Sequence, residues 1–195
     1  MSSGKISGMS LRLLRTIRLD PSDQFVFPNA AEPGQWAVSG AFMFPDDPEG
    51  LSQKARVALR SGLLGIEDLG WSTLAVVVAA SDEERANAIE ALARRFVEHL
   101  GAPSIDVARE AAQEEIAFAQ SLADHPEGTL IAVHRAYENG QLTERFRTLT
   151  RRQAAAGGPL SPERVFQFVE TQESEESVDL AAMLARSPSP KTPSP

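Results

Sequence analysis

The chain has 195 residues, no cysteine and a formal net charge of −8. That length suffices for one domain that buries most of the surface its unfolded chain exposes, and the lack of cysteine excludes disulfides, thiolate nucleophiles and cysteine-based zinc sites. The acidic balance argues against sequence-independent nucleic-acid binding and against docking on an anionic membrane, both of which need clustered Lys and Arg.

Residues 1–10 carry no hydrophobic pattern and read as a flexible N-terminus without the apolar core of a secretory signal. The longest apolar run, 74–80, is too short to span a bilayer, so the expected location is the cytoplasm. Residues 11–19 read as a strand with Leu11, Leu13, Arg15, Ile17 and Leu19 on one face and Arg12, Leu14, Thr16 and Arg18 on the other. Prolines 21 and 28 bracket a short extended piece at 24–27. A second strand over 36–44 follows, with Trp36, Val38, Phe42 and Phe44 on one side and Gly40 between them.

Leu51, Ala55, Ala58 and Leu59 recur at helical spacing, and Gly62 and Gly65 close that helix. The nearly continuous apolar run 71–80 has the composition of a central strand buried on both faces. Ser81 and Glu84 form a capping box for a helix whose buried stripe is Ile89, Leu92, Ala93, Phe96, Val97 and Leu100, stopped by Gly101. A third helix over 104–123 is Ala-rich, with Ile105, Ala108, Ala112, Ile116 and Ala119 on one side. Strands 129–137 and 141–149 flank Asn139-Gly140 and make the clearest hairpin. Residues 151–195 read as a largely disordered tail with possible short helices near 161–163 and 178–184 and a Pro/Ser-rich end. The expectation is a single α+β domain over 11–150, a two-layer sandwich with a mostly antiparallel or mixed sheet of about five strands and three helices.

Candidate site residues are few. Asp124, His125 and His134 gather two of the three histidines at the mouth of a strand. His134 could act as a general base oriented by Asp124, Glu114 or Glu115, because an imidazole needs a second group to fix its tautomer. Against that stands a structural histidine with a hydrogen-bond partner, and for His125 a cation at a helix C-terminus. The two histidines lack metal-ligand spacing, so no metal and no cofactor is expected. Ser39, Ser72, Thr73 and Thr129 are nucleophiles by composition only, and Gly70-Trp71-Ser72-Thr73 lacks the second glycine of a serine elbow. Arg15 and Arg135 could together form an anion pocket, with Trp36 as its aromatic wall. The competing expectation is that each arginine pairs with an acid such as Asp20, Glu144 or a helix glutamate.

The segments 14–20, 36–40, 70–73 and 124–129 together resemble a bacterial family of small α+β proteins with no assigned function, over about residues 11–149. The resemblance carries over no catalytic residue. It implies an accessory role, because members of that family are encoded near accessory genes of formate-dehydrogenase-type molybdenum enzymes. Taken together, the expectation is a non-catalytic cytoplasmic accessory protein that engages a protein partner through its sheet surface or tail, with no nucleic-acid or membrane partner. The alternative is a small-molecule-binding domain or enzyme with a pocket built from Arg15, Trp36, His125, His134 and Arg135.

Overall fold

The computed structural model describes residues 11–45, 48–138, 140–151 and 168–170. Among them the chain forms strand β1 (Arg12–Ile17), helix α1 (Ser22–Val26), β2 (Trp36–Val38), a 3-10 turn (Ala41–Met43) and helix α2 (Gln53–Ser61). Strands β3 (Leu63–Gly65), β4 (Trp71–Ser72) and β5 (Leu74–Ala79) follow, then helices α3 (Asp82–Leu100) and α4 (Ile105–Leu122) and strands β6 (Leu130–Glu138), β7 (Gln141–Arg151) and β8 (Phe168–Glu170). The sheet runs β4-β3-β2-β1-β5-β6-β7-β8, and every neighbouring pair is antiparallel. The class is α+β, but among the described residues the sheet has eight strands rather than about five, and there are four α-helices rather than three.

The extra elements have local causes. The piece at 24–27 is not extended: Pro21 precedes a helical turn, the Asp20 carboxylate accepts from the Ser22 amide at 2.7 Å, and Asp23 is acidic in the first turn. Those are helix-start features that outweigh four residues of weak alternation. The strand expected over 36–44 stops at Val38, because Gly40 adopts φ +81 and leads into the 3-10 turn. A Cβ on Gly40 would lie 2.6 Å from Leu64 Cβ and 3.0 Å from the Trp71 ring. Gly62 and Gly65 do not merely close α2: Gly62 caps it, and Gly65 is the last residue of β3, whose Leu63 and Leu64 are both fully buried.

The apolar run 71–80 is two strands rather than one. Asp23 breaks it, accepting from Thr73 Oγ1 at 2.5 Å and from the Thr73 amide at 3.2 Å. β5 does lie in the middle of the sheet, between β1 and β6, whereas Trp71 belongs to the outermost strand, β4. Only Ala75 and Val77 of β5 are fully shielded, and Ala79 is exposed.

The helices follow their capping signals. Ser81 and Glu84 satisfy each other's amides, and Gly101 ends α3 in the left-handed conformation. Ile89, Leu92, Ala93 and Phe96 are buried as expected, joined by Ala88, but Val97 and Leu100 are 40% and 41% exposed, as is Ile105 at 39%. Those three lie near the turn that joins α3 to α4. Elsewhere α4 presents Ala108, Ala112, Ile116 and Ala119, whose small volumes allow close packing.

The core forms two clusters. The larger joins α3 and α4 to Leu13, Trp36, Val38, Leu64, Ile66 and Trp71. The smaller contains Leu14, Ala37, Leu63, Ala75, Val77, Ala123, Ile131 and Val133. Consecutive strand residues point to opposite faces, so Leu13 beside Leu14, Val38 beside Ala37 and Leu64 beside Leu63 show that β1, β2 and β3 are covered on both sides. The β6–β7 hairpin is in the register expected from Asn139-Gly140, with Glu138 opposite Gln141. Phe168–Glu170 adds a strand beside β7, and the helices expected near 161–163 and 178–184 lie outside the described residues.

Gly40→Ala should cost about 2–3 kcal/mol, because strain at positive φ adds to overpacking against Leu64 and Trp71. Gly34→Ala, at φ +91 with open space around it, should cost only about 1 kcal/mol. Urea unfolding of both variants checks the difference; equal losses would mean that the Gly40 contacts do not constrain the β2 end.

Candidate functional site

Arg135 is the largest fully buried side chain among the described residues, and its environment is built by four separate segments. β6 alternates, so Ile131, Val133 and Arg135 face inward while His134 faces out. Nε donates to Glu144 Oε1 at 2.6 Å, across the hairpin. Nη1 donates to the carbonyls of Leu59 at 3.2 Å and Gly62 at 2.7 Å, at the end of α2. Nη2 donates to the Ser39 carbonyl and, at 3.2 Å, to Ser39 Oγ, just after β2. The guanidinium has five N–H groups and all five are engaged. Ser39 Oγ in turn donates to Glu144 at 2.5 Å, and Phe44 lies 5.8 Å from the Arg135 guanidinium carbon.

Burial pulls the Arg135 guanidinium down from its ordinary value, while the charge and hydrogen bond of Glu144 hold it up. Its ionic partner is only 20% exposed, so the pair is desolvated and tightly coupled. Glu115 on α4 stands beside this group. Burial, then the like charges of Glu144 and Glu114, push its carboxyl up to about 7, with Arg135 pulling the other way. The result is a three-residue cluster of Arg135, Glu144 and Glu115 with a hydroxyl, Ser39, inside it. Chemically it is a closed polar junction: the guanidinium is saturated and Ser39 is 1% exposed, leaving no donor for an incoming anion.

The remaining candidates fall into separate places. Arg15 lies 3.6 Å above the Trp36 ring, donates to the Gly34 carbonyl at 2.5 Å and reaches Glu84 at 3.5 Å. Asp124 pairs with Arg12 at 3.1 Å, and the His125 carbonyl accepts from the same arginine at 2.6 Å. His134 is exposed, on the opposite side of β6 from Arg135, so it is not the partly buried residue that its strand neighbours suggested. Arg15 and Trp36 therefore meet, as do Asp124 and His125 through Arg12, while Arg135 sits with Glu144. Glu115, a possible orienter of His134, has its interactions with Glu144, Glu114 and Arg135 instead.

Sequence reasoning named Glu144 and Ser39 without joining them, and missed Arg12 and Asp23. The hairpin register held the first signal: a two-residue Asn-Gly turn that pairs 138 with 141 also pairs Arg135 with Glu144. No such local signal exists for Arg12, whose partners lie more than one hundred positions away.

Two clefts are shallow candidates for a ligand. One, of about 360 Å3, is lined by Arg12, Gln120, Ser121 and Asp124 among others, and the other, of about 90 Å3, lies beside Asp23 and Thr73. Neither includes a histidine. Among the described residues no group of three or more His, Asp or Glu side chains is placed to hold a metal, and no helix is long and apolar enough to cross a membrane.

The raised Glu115 carboxyl makes stability depend on pH. Between its ordinary value of 4.5 and about 7, the native state keeps a proton that the unfolded state has released, so stability falls as pH rises through that window and levels off above it. Glu115→Gln should remove this slope, matching wild type near pH 4 and exceeding it at pH 8 by on the order of 1–2 kcal/mol. Denaturant titrations across the window check this; an unchanged slope in the variant would place the titration elsewhere.

No curated protein and no solved structure matches the chain. One family model does, described as a family of unknown function (DUF6505), and it matches residues 9–157. That span takes in β1 through β7, including Arg135, Glu144, Glu115 and Ser39. The chain belongs to this family of unknown function.

Proposed function

We propose that the protein is a non-catalytic accessory protein that works by binding another protein, in the bacterial cytoplasm. The observation that carries this reading is the dispersal of its reactive-looking side chains. Arg135 is saturated internally, Arg15 is committed to Trp36, Gly34 and Glu84, and Arg12 to Asp124 and His125. A pocket enzyme needs such groups to converge with a nucleophile or base on one concave surface. Here His134 and Arg135 face opposite sides of one strand. The exposed face of the β6–β7 hairpin, bearing His134, Arg145 and Arg147, and the apolar residues Val97, Leu100, Ile105 and Val107 at the α3–α4 end offer contact surface instead. The resemblance to proteins encoded near molybdenum-type redox enzymes makes such an enzyme the first complex to test.

Affinity purification of the tagged full-length protein from its host, after a moderate salt wash, should retain one near-stoichiometric protein, and His125→Ala with Arg15→Ala should retain it equally. Recovery of the protein alone, with those two substitutions abolishing its phenotype while the fold stays intact, would instead establish the pocket reading.

A further inference from the structure

Helix α4 is fastened lightly. Its buried stripe, Ala108, Ala112, Ile116 and Ala119, offers the core three single methyl groups and one larger side chain, and elements with little apolar burial are the first to open. Toward the hairpin it presents Phe118, edge-on to Phe146 of β7 at 5.6 Å, and Leu122 and Ala123 join the cluster of Ile131 and Val133. Glu115 precedes Phe118 by three residues on the helix, and Glu144 precedes Phe146 by two on the strand. Both carboxyls therefore lie beside that aromatic contact, on the facing sides of one interface. Arg135, the cation between them, is already paired with Glu144 at 2.6 Å. A second carboxylate on Glu115 adds charge to a desolvated cluster that one guanidinium has already balanced, which is why its carboxyl is pushed up to about 7 by burial and by Glu144 and Glu114. Charged groups on the other elements packed against α4 turn elsewhere: Arg85 and Glu90 of α3 to Gln120 and Arg109, and Arg12 of β1 to Asp124.

We infer that α4 and the β6–β7 hairpin form a proton-operated clasp: with a proton on Glu115 the C-terminal half of α4 stays on the hairpin, and without it that half opens locally while the sheet stays folded. Opening carries the ionised carboxyl into water and uncovers Phe118 and Phe146. A detached helical segment of about ten residues is marginal in water, so its backbone amides come free as well. The inference goes beyond the protein-binding reading and does not depend on it. It also goes beyond the pH dependence of overall stability, because it assigns the proton to the opening of one element. With the carboxyl at about 7 when closed and at its ordinary 4.5 when open, the closed form holds a proton that the open form has released. The opening constant therefore rises with pH, by about tenfold between pH 6 and pH 8.

The test is native-state hydrogen exchange of the full-length chain at several urea concentrations below its unfolding transition. After correction for the pH dependence of intrinsic exchange, amides 113–122 should open about a hundredfold or more as readily as those of β1 and β5, with little dependence on urea. That opening should rise about tenfold from pH 6 to pH 8. Glu115→Gln keeps a neutral group of the same shape and should remove the rise, and Glu115→Ala should do the same if the glutamine disturbs packing. Exchange of 113–122 with the protection and urea dependence of β5 would show that the helix opens only when the whole domain unfolds, which overturns the inference and leaves the pH-dependent stability standing. A local opening that does not change with pH also overturns it, as does one that rises equally in wild type and both variants.

Discussion

The structure depends on one buried cation. Arg135 ties the β6–β7 hairpin, through Glu144, to the end of β2 at Ser39 and to the end of α2 at Leu59 and Gly62. In the sheet order β6 is separated from β2 by β1 and β5, so backbone pairing alone does not join these parts. A buried guanidinium is tolerated only when its charge is paired and its donors are met, and here both conditions hold. The constraint works in both directions: because the junction requires three carbonyls and a carboxylate at fixed positions, it specifies where α2 ends and how the hairpin leans across the sheet.

Much of the rest can be seen as making room for this junction. Gly40 lets the chain turn directly after Ser39, so that Trp71 and Leu64 close over the turn. Gly62, whose carbonyl meets Arg135, leaves no space for a side chain: a Cβ there would lie 2.7 Å from the Trp71 ring. On the α4 side, Phe118 meets Phe146 edge-on at 5.6 Å, next to Glu115 and Glu144. An arginine with all five donors engaged is a structural tie with no donor left for a ligand.

What the sequence discloses here follows the range over which its signals act. The capping box at Ser81 and Glu84, the alanine stripe of α4 and the Asn-Gly hairpin are written within a few residues, and each element appears where those residues place it. Short elements shaped by distant partners are not legible in this way. β3 is three residues long, and β4 parts from β5 because a carboxylate on α1, fifty positions earlier, holds Thr73. The site divides along the same line. The pairing of Arg135 with Glu144 could be counted off from the turn, whereas its bonds to Ser39 and Gly62, and the ion pair of Arg12 with Asp124, exist only because the sheet brings remote segments together.

The most direct test of the account is a double-mutant cycle on Arg135 and Glu144, using Arg135→Lys, Glu144→Gln and the double variant, with stability measured by urea unfolding. Lysine has three donors and no planar fork, so Arg135→Lys should lose about 3–5 kcal/mol despite keeping the charge, and the two substitutions should be strongly non-additive. A loss below about 1 kcal/mol for Arg135→Lys, or additive effects, would contradict the claim that this cation holds the hairpin, β2 and α2 in place.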